Sequence, residues 1–210
     1  MTAVFRQKAR RLHVALPNLI FDRTQEDADR WLYLSQKLDT LGFGGLTPQE
    51  QAEWLRDIKG GYNHTDLNRV GNAVAFLGGR FIDLVQHLID YRAEYGVASD
   101  PLMTQPYKLK DVKVQPKTNW QRGNYMYVSQ AARYLADLTT LRSLLPLTSE
   151  FPAVPPDMVD LTVEETNDIE RLLSMLDTEL TRVTDVLETY IRDTAAAWFY
   201  SGDLYGGEIE

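Results

Sequence analysis

The sequence predicts an all-α fold: a bundle of about five helices with a long, heptad-patterned C-terminal helix, an extended N-terminal arm and Pro-rich crossovers. Three observations carry that expectation. Helix-start signals recur together with their stops, two long stretches repeat apolar residues at alternating gaps of three and four, and prolines gather between the periodic segments. A chain of 210 residues, 44% hydrophobic and 25% charged, has the composition of a globular protein with room for one ordinary domain or two small ones.

The first helix follows Thr24, an N-cap with Asp27 three residues on, and carries an apolar stripe at Trp31, Leu34, Leu38 and Leu41 until Gly42, Gly44 and Gly45. The second is written in LTPQEQAEWLRDIKGG, with Thr47 as cap, Pro48 at the first helical position, Glu50 completing a capping box and Gly60–Gly61 as the stop. A third is expected from Thr65 or Asp66 to about Tyr95, with Gly96 beyond its end, and a fourth from about Tyr125 to Leu145 before Pro146. The fifth starts at the Thr162–Glu165 box.

The third and fifth helices carry more than ordinary amphipathicity. Leu67, Val70, Val74, Leu77, Phe81, Leu84, Leu88, Tyr91 and Tyr95 form one unbroken seam, and Ile169, Leu173, Leu176, Leu180, Val183, Leu187 and Tyr190 form the other, with Thr194 continuing its register. Leu172, Val186 and Ile191 are expected to widen the second stripe, leaving Asp177 on an exposed face. Such seams first suggest that the helices pack on each other within one chain, and assembly of the long helix with other copies is the alternative. Gly71 and Gly78 lie beside the third helix's seam, and an interior glycine costs about 1 kcal/mol relative to alanine. Close approach by a partner helix is the expected compensation, and a helix break at Gly78–Gly79 is the alternative. Residues 96 to 124, with Pro101, Pro106 and Pro116 and alternating Val112 and Val114, read as an extended crossover with room for a short strand; residues 146 to 160 read as a second. The organisation is therefore a basic arm (1–17), a helical bundle (18–197) and an aromatic, Gly-rich tail (198–210).

Charge is unevenly placed. Residues 1–23 set Arg6, Lys8, Arg10, Arg11 and Arg23 against Asp22, and residues 105–122 are likewise net positive, whereas residues 150–210 hold fifteen acids against Arg171, Arg182 and Arg192. A chain of net charge −8 repels nucleic acid, and its basic blocks lack interleaved stacking aromatics, so no nucleic-acid partner is expected. No apolar stretch is long enough to span a membrane and the N-terminus lacks an apolar signal core, so neither insertion nor secretion through a signal peptide is expected.

Reactive constellations are missing from the sequence. It has no Cys, no glycine-rich phosphate loop and no GxSxG or HExxH motif, and His13, His64 and His87 share no ligand spacing. Glu164, Glu165, Asp168 and Glu170 read as acids favoured by the dipole of a helix start, and Tyr62 to Asp66 as a turn and cap. No catalytic, cofactor or metal residues are expected. The candidate contact residues lie at the ends: Arg6, Arg10 and Arg11 in the arm, and Trp198, Phe199, Tyr200 and Tyr205, apolar rings on a terminus that cannot build a core of its own.

Read as phrases, GYNHTDLNRVGNAVAFLGGRF, PKTNW, LTVEETNDIERLL and WFYSGDLYGGE, in this order and preceded by NLIFDRTQEDADRW and LTPQEQAEWL, carry a resemblance that spans about residues 18–95 and 112–210. As a set they resemble a group of short helical proteins encoded among tail and baseplate genes of phages and prophages of Gram-positive bacteria. The resemblance implies a non-enzymatic virion or tail component, made in the host cytoplasm, whose partners are other copies of itself and other tail proteins; it supplies no catalytic residues. An alternative from another class is a soluble adaptor or regulatory protein that binds one heterologous partner through its aromatic C-terminus.

Overall fold

Thr24, Thr47 and Thr162 each open a helix, because each hydroxyl accepts an amide hydrogen that the helix itself leaves unpaired. In a computed structural model, which describes residues 16–56, 58–95, 113–145 and 147–203, the chain forms α1 (Gln25–Leu41), α2 (Pro48–Leu55), α3 (His64–Tyr95), α4 (Val128–Ser143) and α5 (Val163–Asp203), with a 3₁₀ turn at Phe43–Gly45. Among the described residues there is no strand, so the fold is the expected all-α bundle.

The three capping boxes are complete. Thr24 accepts the Asp27 amide at 3.2 Å while Asp27 accepts the Thr24 amide at 2.9 Å, and the Thr47–Glu50 and Thr162–Glu165 pairs repeat this reciprocity. At α3 the cap is Asn63, whose Oδ1 accepts the Thr65 amide at 2.8 Å, so the helix starts slightly earlier than expected. α4 is shorter than expected at both ends, and Tyr125, Tyr127 and Val128 stand in solvent. Gly42 closes α1 with a left-handed backbone, φ 69°, and its amide bonds the Leu38 carbonyl at 2.8 Å. α5 runs through residue 198, where the sequence suggests a tail begins.

The core lies between α3, α4 and α5. The α3 seam from Leu67 to Leu84 is buried, as are Ile169, Leu172, Leu173, Leu176 and Leu180 of α5 and Leu138 and Leu141 of α4. Val183 and Leu187 pack against this cluster half-buried, while Val186 is 53% exposed and does not widen the stripe as expected. The side chains of Leu88, Tyr91, Tyr95, Ile191 and Thr194 lie outside the described set. α3 and α5 run parallel: Arg69 meets Glu170, Arg80 pairs with Asp177, and His87 Nε2 stands 3.0 Å from Glu188 Oε1. For α3 and α5 to be parallel, the chain between them must return along α3, and the described extended segment 113–120 runs in that returning direction. The Arg80 pair also means that Asp177 is not a free surface residue, contrary to the sequence expectation.

The neighbour that the α3 glycines accommodate is extended chain rather than a helix. Residues 113–120 run antiparallel along α3: Trp120 donates its amide to Asn68 Oδ1 at 2.7 Å and accepts Asn68 Nδ2 at 2.8 Å, and further along the helix Val114 lies over Gly78. A Cβ at Gly71 would stand 2.5 Å from the Lys117 carbonyl oxygen, whereas one at Gly79 would meet nothing within 4 Å. Helix α3 continues unbroken through both positions. The two sites should therefore respond oppositely to alanine. Gly79→Ala gains helix propensity and should stabilise by up to about 1 kcal/mol. Gly71→Ala should destabilise by about 1–3 kcal/mol, because the backbone it meets must move; chemical denaturation of both variants reads the difference.

Asp137 links the same extended segment to α4. It is buried, its Oδ1 accepts the Gln115 amide at 3.2 Å, and Oδ2 finds no partner among the described residues. Burial raises its pKa above the ordinary aspartate value, against the Gln115 hydrogen bond and the field of Arg133. A carboxyl whose folded pKa is raised favours folding when protonated, so its penalty grows as pH climbs from the unfolded value through the folded one. Asp137→Asn should raise the melting temperature at pH 7, by about 1 kcal/mol of stability. The gain should vanish in acid, as a pH series of melts on both proteins will show.

The α1–α2 hairpin sits on the bundle through its connection. Arg30 grips Glu53 with two bonds of 2.9 and 2.6 Å, and Lys37 holds Glu50 at 2.7 Å. The Lys37 hydrogen bond, reinforced by the Thr47 amide, draws the Glu50 carboxyl down to about 2. Of the α1 stripe only Leu34 is buried, and Leu41 is exposed. Docking comes instead from Gly60 and Gly61, where a Cβ would stand 1.8 Å from the Asp27 carbonyl oxygen and 2.2 Å from the Trp31 ring nitrogen.

Candidate interaction site

Residues 20–23 cross the first turns of α5 and are locked there by charge. Arg23 is buried; its Nη2 donates to Asp66 Oδ1 at 2.7 Å and Glu170 Oε1 at 2.8 Å, its Nε donates to the Lys59 carbonyl at 3.1 Å, and its Nη1 donates to the Ile20 carbonyl. Arg69 reaches the same two carboxylates from α3, with Nε 2.7 Å from Glu170 Oε2 and Nη2 on Asp66. The Ile20 amide completes Glu170 at 2.7 Å, and the backbone of Arg23 pairs reciprocally with the Asn167 side chain at 3.1 and 2.9 Å. Two cations face two anions, so the cluster is neutral, and each carboxylate oxygen has at least one donor. Burial works against the Arg69 charge, yet the hydrogen bonds and field of Glu170, then of Asp66, outweigh it and hold its pKa above the ordinary arginine value. Beside the cluster the Tyr62 and Tyr134 hydroxyls share a hydrogen bond, and burial raises both phenols out of the range in which they ionise. With its donors and acceptors turned on one another, this arrangement braces three elements.

Next to the brace a half-open groove of about 630 Å³ lies between the start of α1, the Gly60–Gly61 turn and the approach to α5. Trp31, Leu32, Met126, Met158 and Leu161 wall it, Tyr62 and Arg23 lie beneath, and Asp29 and Asp160 stand on the rim. Leu32 is 49% exposed, and both rim aspartates are exposed. Asp29 accepts the Gln25 amide nitrogen at 2.8 Å; Asp160 has no hydrogen bond or ion pair among the described residues. Asp160 also has a left-handed backbone, φ 52°, uncommon for a residue other than glycine, in a turn that Asp157 ties by accepting the Val159 amide at 2.8 Å. The groove thus combines an adaptable apolar wall with uncompensated negative charge, because its one cation is consumed by the brace.

None of the contact residues expected from sequence is among the described residues that line the groove. Arg6, Arg10, Arg11 and Tyr205 lie outside the described residues; Trp198, Phe199 and Tyr200 fall in the last turns of α5, with side chains outside the described set. Sequence reasoning placed Glu170 among the helix-start acids and Arg23 in a surface block, and both are corrected: they are buried partners. The Tyr62–Asp66 stretch does turn and cap, and Asp66 serves the brace as well. Among the described residues no group of three or more His, Asp or Glu is placed to hold a metal ion, and no helix is long and apolar enough to cross a membrane. No protein-family model, curated protein or solved structure matches the chain.

Proposed function

We propose that this chain is a non-enzymatic structural subunit of a phage or phage-derived tail assembly, in the baseplate or tail-fibre region, and acts through contacts with other copies of itself and with other tail proteins. The observation that carries the assembly role is the parallel α3–α5 pair. α5, with 41 residues, is about 60 Å long. α3 and α4 bury its first half, while residues 183–190 continue the heptad register with Val183 and Leu187 half-buried and Val186 exposed. A rod anchored in a core through Leu180 and only partly covered from Val183 to Tyr190 suits an assembly element. Its attribution to a tail rests on the resemblance of the sequence phrases. In this reading the arm with Arg6, Arg10 and Arg11 and the rings of Trp198, Phe199, Tyr200 and Tyr205 add contacts beyond the rod.

Sedimentation velocity over a concentration series, with recovery of particles from the producing cells, tests the proposal. A defined homo-oligomer, or co-purification with tail particles, is the expected result. A strict monomer with a single heterologous partner would replace it with the adaptor reading.

A further inference from the structure

We propose that the groove walled by Trp31 and Met158 receives the basic, apolar N-terminal arm, residues 1–15, of a second copy of this chain. The inference rests on the assembly reading above and assigns one of its contacts.

The groove's chemistry selects a cationic segment with apolar side chains. Trp31 and the two methionines, whose unbranched thioethers adapt to irregular shapes, offer an apolar wall. Asp29 and Asp160 stand on the rim, and Asp160 has no partner among the described residues. Exposed Glu26 and Glu164, in the first turns of the two helices that border the groove, add to the negative field. An anionic ligand is disfavoured, because the amides at those helix starts are already capped by Thr24 and Thr162 and their box carboxylates, and the Arg23 guanidinium is held by Asp66 and Glu170.

The arm is complementary. Residues 1–21 contain no Asp or Glu, and Arg6, Lys8, Arg10 and Arg11 are flanked by Val4 and Phe5 on one side and Leu12 and Val14 on the other. Fifteen residues extend to about 50 Å, ample to lie along such a groove. The arm comes from another copy because of where the chain goes. Arg23 lines the groove and pairs with Asn167; Ile20 is already at Glu170, one turn further along α5, and Leu19 and Leu16 pack on the core cluster, so residues 23 back to 16 lead away from the groove. Exchange of arms between copies would join one copy's positive end to its neighbour's acidic face, with rim charges setting register and apolar side chains supplying the remainder.

The chain has no cysteine, which makes a disulfide test clean. Full-length Ala9→Cys and Leu32→Cys proteins are mixed and mildly oxidised, with Thr178→Cys, exposed on α5, replacing the groove variant as control. The 9–32 pair should form covalent heterodimers about tenfold more readily than the 9–178 pair. The yield should fall several-fold in 1 M salt, where the Debye length is about 3 Å, and in an Asp29→Asn/Asp160→Asn background. Asparagine is the replacement because it keeps the left-handed backbone of residue 160 while removing the charge. Equal yields with the control would overturn the proposal. So would a chain carrying both cysteines that closes only on itself at high dilution and gives no heterodimer on mixing, since the arm would then belong to its own groove. Sedimentation of the unsubstituted chain, with recovery of particles, separates the two readings: self-association or particle incorporation without the 9–32 bond rejects the groove and leaves the assembly role standing, whereas a monomer at all concentrations that no tail particle carries rejects both.

Discussion

Glu170→Ala should destabilise the protein by about 3–5 kcal/mol, the cost of leaving buried charge without its counter-ion. Glu170 is fully buried and binds two guanidiniums and the Ile20 amide, so its removal leaves Arg23 and Arg69 facing Asp66 alone. The loss is larger than that of a surface pair, about 0–1 kcal/mol, because water cannot replace the missing carboxylate without opening the α3–α5 contact. Charge balance supplies the discriminating test. A paired Arg69→Met/Glu170→Met variant keeps Arg23 opposite Asp66 as a neutral pair and fills the space with apolar volume, so it should be more stable than Glu170→Met by itself. Urea unfolding of the three variants measures this, and amide exchange at Ile20 should quicken in each. A single variant as stable as the parent, or a double variant costing the sum of its parts, would show that the cluster is not bound by charge.

How much of this was legible in the sequence differs between fold and site. Capping chemistry is local, with Thr, Asp and Glu three residues apart bonding each other's amides, so the starts of α1, α2 and α5 could be read directly. Heptad spacing told which faces of α3 and α5 are apolar, and burial from Leu67 to Leu84 and from Ile169 to Leu180 follows it. It could not tell that the two helices run parallel, because direction is set by how the chain between them returns, of which the described extended segment 113–120 is part. The glycines on α3 announced a close neighbour, yet nothing local distinguishes a helix from the extended backbone of Lys117.

The brace was hidden for a different reason. Arg23, Asp66, Arg69 and Glu170 are ordinary surface residue types, and ordinary surface explanations were available for Arg23 in a basic block, Asp66 in a cap and Glu170 in a helix start. Their convergence depends on separations of 101 and 147 residues, as between Arg69 and Glu170 and between Arg23 and Glu170. One signal did exist: Glu170 immediately follows Ile169 of the seam, where the flank of a buried stripe is itself half-covered. The groove residues left none, since Trp31 read as part of a stripe and Met126, Met158 and Asp160 lie in connections whose shape only the assembled bundle defines.

Leu180→Asp should cost more than about 3 kcal/mol, by placing an unpaired charge where α5 meets the core. Leu180 is 1% exposed and is the last fully buried residue of the seam, one turn before Val183 and Leu187 become half-exposed. Arg80 is already held by Asp177 and Thr181, so it offers the new carboxylate no ready partner. The control belongs at Asp185, which is exposed and without an ion pair among the described residues, and not at Asp177, whose loss would free Arg80. Asp185→Ala should change stability by less than about 0.5 kcal/mol. For a domain of this size each 1 kcal/mol moves the melting temperature by about 2–4 °C, so the two variants should differ by at least about 5 °C. Equal melting temperatures would mean that the seam is not the packing face of α5, whereas a loss confined to the aspartate variant places Leu180 in the monomer's core.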